Sequence, residues 1–175
     1  LLIAFWSLFL SFKKPVSQRK KRYDVALREV AKFIVMYSNV RIHVTGIEKM
    51  PEKERFMFVC NHRSMFDPVL SAVCFARYNI AFVSKKSVFK VPFGAKFMHM
   101  CCYIPFDRDD MKDAVRMINR ASELLINDVT SIGLYPEGTR SVSDEMLEFK
   151  NGAFKIALKA KVPIVVATLK GSDEV

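Results

Sequence analysis

A chain of 175 residues suits one domain with one core, burying roughly 70% of its unfolded surface, and calls for no second domain. A hydrophobic fraction of 51% and a mean hydropathy of +0.12 fit a protein that works at a membrane surface. The net charge of +10 is concentrated near the N-terminus, and its setting there argues against a nucleic-acid partner.

The chain opens with an apolar run, Leu1 to Phe12, followed by Lys13, Lys14, Arg19, Lys20, Lys21 and Arg22 before any acid appears. The run is too short to span the bilayer as a helix, which takes about 20 residues. With no methionine in front of it, it reads as the end of a longer membrane-associating segment. Basic residues after an apolar run favour the cytoplasmic face and attract anionic lipid by about 1 kcal/mol per charge. A secretory signal would place those charges first. A nucleic-acid arm would not explain Trp6 and the phenylalanines around it. Residues 1–38 are therefore assigned to a membrane-associating helical segment and 39–175 to the main domain.

Apolar positions from 22 to 38 recur at helical spacing, as in a helix that covers a core or lies on a bilayer. Val40 to Thr45 alternates and predicts a half-exposed strand ended by Gly46, with His43 at the surface. Strands are predicted at 56–60 and 80–83, with a helix from 68 to about 76 between them. Val88, Phe89, Val91, Phe93, Phe97, Met98 and Met100 crowd a stretch punctuated by Pro92 and Gly94, which reads either as a lining for an acyl chain or as ordinary core. Residues 109–128 give the clearest helix. Strands at 131–135 and 163–168 flank a helix from about Gly152 to Ala160. The alternation predicts an α/β fold: a mixed, mostly parallel sheet flanked by helices.

Four cysteines, Cys60, Cys74, Cys101 and Cys102, have neither zinc-ligand spacing nor a disulfide framework, so they read as reduced core thiols, and no metal or cofactor is expected. Cys60, near His62, is the one candidate nucleophile among them.

Asn61-His62-Arg63-Ser64-Met65-Phe66-Asp67-Pro68 lies between an apolar strand and a helix start. Asp67 reads as an N-cap, with Pro68 at the first helical position. Residues five apart on one helix point about 140° away from each other, but a turn can bring His62 and Asp67 together. The carboxylate would then hold one imidazole nitrogen and leave the other free as a general base. A second polar loop, Glu137-Gly138-Thr139-Arg140, leaves the strand at 131–135 through Pro136. Two such loops imply one shared site beyond the carboxyl ends of the strands.

These residues resemble the glycerophospholipid acyltransferases from about Val40 onward. Asn61 to Asp67 matches the family's first motif in full. Tyr135 to Arg140 matches the third, with tyrosine where phenylalanine is common. Lys85-Lys86, Pro92, Gly94 and Ile104 to Arg108 are similar to the second, and Val162 to Val166 to the fourth, with valine for its second proline. The resemblance implies a glycerolipid acyltransferase-like fold that extends past residue 175.

It also implies direct transfer from a thioester of coenzyme A or acyl carrier protein to a hydroxyl of a lysophospholipid, foremost lysophosphatidic acid. His62 would be the base and Asp67 its orienter. Arg140 and Arg108 would bind the acceptor phosphate, with Lys85 or Lys86 adding charge. Glu137 would accept a hydrogen bond from the His62 loop or from the acceptor, and Gly138 and Thr139 would complete the acceptor site. Without a Gly-x-Ser-x-Gly elbow, no serine triad is implied. Glycerol-3-phosphate, another lysophospholipid or a lyso-aminolipid is an alternative acceptor, and an inactive lipid-binding module is an alternative function.

Overall fold

The computed structural model describes residues 21–90, 94–141 and 145–175; the apolar run Leu1–Phe12, the basic residues up to Lys20, and Val91, Pro92 and Phe93 lie outside them. Five strands form one sheet: β1 (Met57–Cys60), β2 (Ile80–Lys85), β3 (Ile104–Phe106), β4 (Ser131–Leu134) and β5 (Ile164–Ala167), in the order β3-β2-β4-β1-β5. Every pairing is parallel, so the mixed component expected from sequence is absent among the described residues. Parallel strands need crossover helices that cover both faces of a sheet. Accordingly, every residue of β1 and β4 is buried.

The helices are α1 (Lys21–Tyr37), α2 (Asp67–Cys74), α3 (Gly94–Met100), α4 (Met111–Ile126) and α5 (Lys155–Ala160). They pack in two groups, α1 against α2 and α3, and α4 against α5. Helix α4 begins where Asp110 accepts a hydrogen bond from the Lys112 amide at 2.8 Å, a side-chain N-cap. The helix expected from Gly152 opens instead as a 3₁₀ turn, Asn151–Phe154, and becomes α-helical at Lys155.

One expected strand does not form. Val40 to Thr45 is irregular and pairs with no strand among the described residues. Alternation supplies a strand-like face, but a strand exists only where a neighbour takes its backbone hydrogen bonds. His43 is exposed there. In the methionine- and phenylalanine-rich stretch, Phe89, Phe97, Met98 and Met100 pack against the core, as ordinary core residues do. Val88 is exposed.

Gly133 on β4 sits beneath Phe82 of β2. A Cβ there would fall 2.6 Å from the phenylalanine ring, so only glycine lets the ring lie over that strand. Phe82 then stacks on Tyr135 (centroids 5.7 Å apart, 14° between planes), and Tyr135 on His62 (4.3 Å, 17°). The packing of the sheet thereby reaches the candidate site.

Helix α1 carries two apolar faces. Tyr23, Leu27 and Ala31 pack inward, while Val30, Phe33, Met36 and Tyr37 are exposed. Among the described residues, no helix is long and apolar enough to cross a membrane.

Candidate active site

Because all five strands run parallel, their carboxyl ends share one edge of the sheet. His62 follows β1 there, Lys85 ends β2, Arg108 follows β3, Glu137 to Arg140 follow β4, and Leu169 to Asp173 follow β5. Ligand crevices of open α/β sheets form along this edge.

His62 Nδ1 lies 2.7 Å from Asp67 Oδ2. The same oxygen accepts the amides of Arg63 at 2.7 Å and Ser64 at 2.9 Å. Asp67 is thus not the N-cap expected from sequence. It is the first residue of α2, behind Phe66, and its carboxylate turns back onto the preceding turn rather than forward onto its own helix. Two amides must converge on one oxygen to close the loop around His62, and a carboxylate offers the lone pairs to take them together with the imidazole.

Asp67 is completely buried. Burial alone would raise its pKa, but the hydrogen bonds from His62 and from the Ser64 and Arg63 amides, with the nearby Ser172 hydroxyl, outweigh that and hold it below the ordinary value. The carboxylate therefore stays charged at neutral pH. With Nδ1 donating to Asp67, Nε2 remains as the acceptor nitrogen, and His62 keeps 15% of its side-chain surface exposed.

Cys60 is no nucleophile. Its thiol is buried, contacts Asn61 Oδ1 at 3.5 Å, and is pushed up to about 12, first by burial and then by the charge of Asp67.

Glu137 is buried, and both of its oxygens are occupied. Oε1 accepts the His62 amide at 2.7 Å and Oε2 the Leu147 amide at 2.9 Å. The partner seen for Glu137 is thus the His62 loop, so this carboxylate supports the site from behind. Ser141 N donates to the His62 carbonyl at 2.8 Å, which ties the two polar loops together, and Lys150 N donates to the Pro136 carbonyl at 2.8 Å, which fastens the second loop to the chain ahead of α5. Gly138 closes the turn that begins at Tyr135, its amide donating to the Tyr135 carbonyl at 3.0 Å, with φ of +72°. A Cβ there would have space, so the requirement for glycine is conformational.

The cations sort by whether they are already neutralised. Lys86 lies 3.1 Å from Asp113, and Arg63 2.6 Å from Asp173. The side chains of Lys85, Arg108 and Arg140 are exposed and meet no carboxylate among the described residues. Thr139 is exposed beside Arg140. Three uncommitted cations on one sheet edge can receive a phosphate, with the arginines offering forked donors. Among the described residues no cluster of side chains could hold a metal ion.

Two contributors escaped the sequence reading. Tyr135 holds one face of the imidazole, and its hydroxyl lies 3.4 Å from Ser71 of α2; burial pushes that hydroxyl well above the ordinary phenol range, so it is neutral. Its place in the third motif carried the signal, since an aromatic residue directly after a buried strand must lie against something. Asn61 grips the chain after β5 at both ends of its amide, donating to the Leu169 carbonyl at 2.9 Å and accepting the Leu169 amide at 2.7 Å. No local pattern announces a contact across so much sequence.

The fold and part of the sequence are similar to those of known proteins. A structure-level likeness with a TM-score of 0.71 and 27% identity, covering 93% of this chain and 63% of the other, is to the 1-acyl-sn-glycerophosphate acyltransferase PlsC of Thermotoga maritima. A chloroplastic 1-acyl-sn-glycerol-3-phosphate acyltransferase of Arabidopsis thaliana is 32% identical over 143 residues, which are 81% of this chain and 39% of that protein. The 1-acyl-sn-glycerol-3-phosphate acyltransferase of Borreliella burgdorferi is 28% identical over 149 residues, 85% of this chain and 59% of its own. The chain thus spans between 39% and 59% of the length of these two relatives. The family model described as Acyltransferase matches residues 41–170, from the irregular segment before β1 to the Asn61-bound loop after β5, and the chain belongs to that family.

Proposed function

We propose that this protein transfers an acyl group from an acyl-CoA or acyl-carrier-protein thioester to the sn-2 hydroxyl of 1-acylglycerol-3-phosphate, giving phosphatidic acid and a free thiol. The observation that carries this reading is the 2.7 Å pair of His62 Nδ1 and Asp67 Oδ2 at the sheet edge where three cations without a carboxylate partner among the described residues also lie. The names of the similar proteins support the choice of acceptor.

In this reading His62 Nε2 takes the hydroxyl proton as the oxygen attacks the thioester carbonyl carbon. Asp67 stabilises the imidazolium that forms. The tetrahedral intermediate collapses with cleavage of the C–S bond, and the proton passes from His62 to the leaving thiolate. No covalent acyl-enzyme is needed. Arg140, Arg108 and Lys85 bind the acceptor phosphate. The exposed apolar stripe of α1, together with the basic residues ahead of it, supports docking on a lipid surface at the cytoplasmic face. Nucleic acid is not a partner in this reading.

Arg140→Ala is expected to raise the acceptor KM about 10–100-fold, the loss of one or two charge-assisted hydrogen bonds, with little change in kcat. Initial rates against acceptor concentration at saturating donor check this. A selective fall in kcat would remove Arg140 from phosphate binding.

The function itself is tested by thiol release from a long-chain acyl-CoA in detergent micelles, with and without 1-acylglycerol-3-phosphate. Acceptor-dependent release with phosphatidic acid as product is the expected result. Release indifferent to the acceptor would make the protein a thioesterase. Release driven only by glycerol-3-phosphate or another lysolipid would replace the acceptor. Lipid binding with no turnover from either thioester donor would leave a binding module.

A further inference from the structure

We propose that Ser172 is a positioning residue of the His62–Asp67 pair, its hydroxyl holding the second carboxylate oxygen of Asp67, so that the loop after β5 sets the orientation of the base. This rests on the reading of His62 as the base.

Three observations converge on that loop. Asp67 Oδ2 is fully used, by His62 and by two amides. Asp67 Oδ1 is buried and bonded to nothing among the described residues, and so is Ser172 Oγ. A buried carboxylate oxygen without a donor is costly, and so is a buried hydroxyl without an acceptor. Here the two lie in one small region, where each is what the other lacks. The Ser172 hydroxyl is near enough to help lower the Asp67 carboxylate, short of a formed hydrogen bond. A hydroxyl rotor closes such a gap at little expense.

The loop carrying Ser172 is fixed on both sides. Before it, Asn61 grips Leu169 through both amide atoms. After it, Arg63 Nη2 donates to Asp173 Oδ2 at 2.6 Å. Both anchors flank His62 in sequence, so the loop after β5 embraces the turn that carries the base. Gly171, with φ of +76°, makes the bend that sends Ser172 inward while its neighbour Asp173 reaches the surface. A carboxylate held at one oxygen only can pivot about its Cβ–Cγ bond. Held at both, it fixes the plane into which His62 Nδ1 donates. A positioning error of this kind lowers turnover rather than substrate binding.

The test uses the full chain in detergent micelles, with Ser172→Ala, Ser172→Thr and Ser172→Cys. Ser172→Ala is expected to lower kcat about tenfold or more, the usual effect of removing one hydrogen bond to a charged group, with both KM values little changed. Threonine, which keeps the hydroxyl, restores most of the loss, and cysteine, a weak donor of similar shape, restores little. Independently of turnover, the low-field Nδ1 proton resonance of His62, assigned by its absence in His62→Ala, shifts or broadens in Ser172→Ala and returns in Ser172→Thr. An unchanged resonance in a folded Ser172→Ala protein would overturn the proposal, as would a cysteine variant with wild-type kcat and resonance. The resonance is read without substrate. Absence of acyl transfer in the wild type would therefore count against the proposed function, and the effect of Ser172 on the pair would still be decided.

Discussion

Loss of either member of the His62–Asp67 pair is expected to lower kcat for acyl transfer by about 10²–10⁴-fold, the contribution typical of a positioned general base. His62→Ala removes the proton acceptor. Asp67→Asn keeps the volume and is the more informative change. Oδ2 now receives the imidazole and two backbone amides at 2.7, 2.7 and 2.9 Å. An asparagine can offer its oxygen to those donors, but it brings no charge to meet the imidazolium. If it turns its nitrogen toward them, donors face donors. Both KM values should move much less than kcat, because the proposed function gives the phosphate to Arg140, Arg108 and Lys85. The measurement is acceptor-dependent thiol release at saturating substrates, with folding checked by thermal melting. Wild-type turnover in His62→Ala would sink the base assignment. The same substitution of Asp67 reports on acid stability. Its folded pKa lies below the ordinary value, so its charge adds stability that is present above about pH 4 and is lost as the pH falls through the depressed value. Asp67→Asn should therefore narrow the difference in denaturant midpoint between about pH 7 and about pH 3.

The sequence made the site legible where chemistry and spacing coincide, and left it obscure where distant segments meet. His62 and Asp67 were readable because a strand, a turn and a proline-marked helix start leave few places for the two side chains. The edge of the sheet was readable because parallel strands put every following loop on one side. The other partners of Asp67 were not: Asp-Pro before an apolar run looks the same whether the carboxylate caps its own helix or, as here, collects the Arg63 and Ser64 amides behind it. The predicted strand at 40–45 failed because alternation describes one segment and pairing requires two. Contacts such as Asn61 to Leu169, Arg63 to Asp173, and the Phe82–Tyr135–His62 stack over Gly133 join elements far apart in the chain. Their cause is the order β3-β2-β4-β1-β5, which sets β1 beside both β4 and β5 and is written in no single stretch of sequence.

Glu137→Gln separates two roles that sequence alone left open for this residue. If Glu137 contacted the acceptor, the amide would raise acceptor KM and leave stability nearly unchanged. The structure gives its oxygens to two backbone amides, those of His62 at 2.7 Å and Leu147 at 2.9 Å, in a site only 2% exposed. Glutamine has one acceptor for those two donors, and its NH₂ must face the other N–H with no water to relieve it. The expected loss is about 3 kcal/mol, from one charge-assisted bond weakened and one buried donor left unpaired. In a domain of this size that lowers Tm by roughly 6–12 °C. Turnover should fall as well, because one of the two amides at stake is that of His62 itself, and strain on Glu137 weakens the tie between the backbone of His62 and the loop of Arg140. Glu137→Asp should do no better, since its shorter carboxylate cannot span both segments. Thermal melts and steady-state rates on the same preparations discriminate the cases. A stable Glu137→Gln protein with raised acceptor KM would return Glu137 to the substrate side of the site, whereas a destabilised one with a lower kcat makes it the strut that holds the two motif loops at a fixed separation.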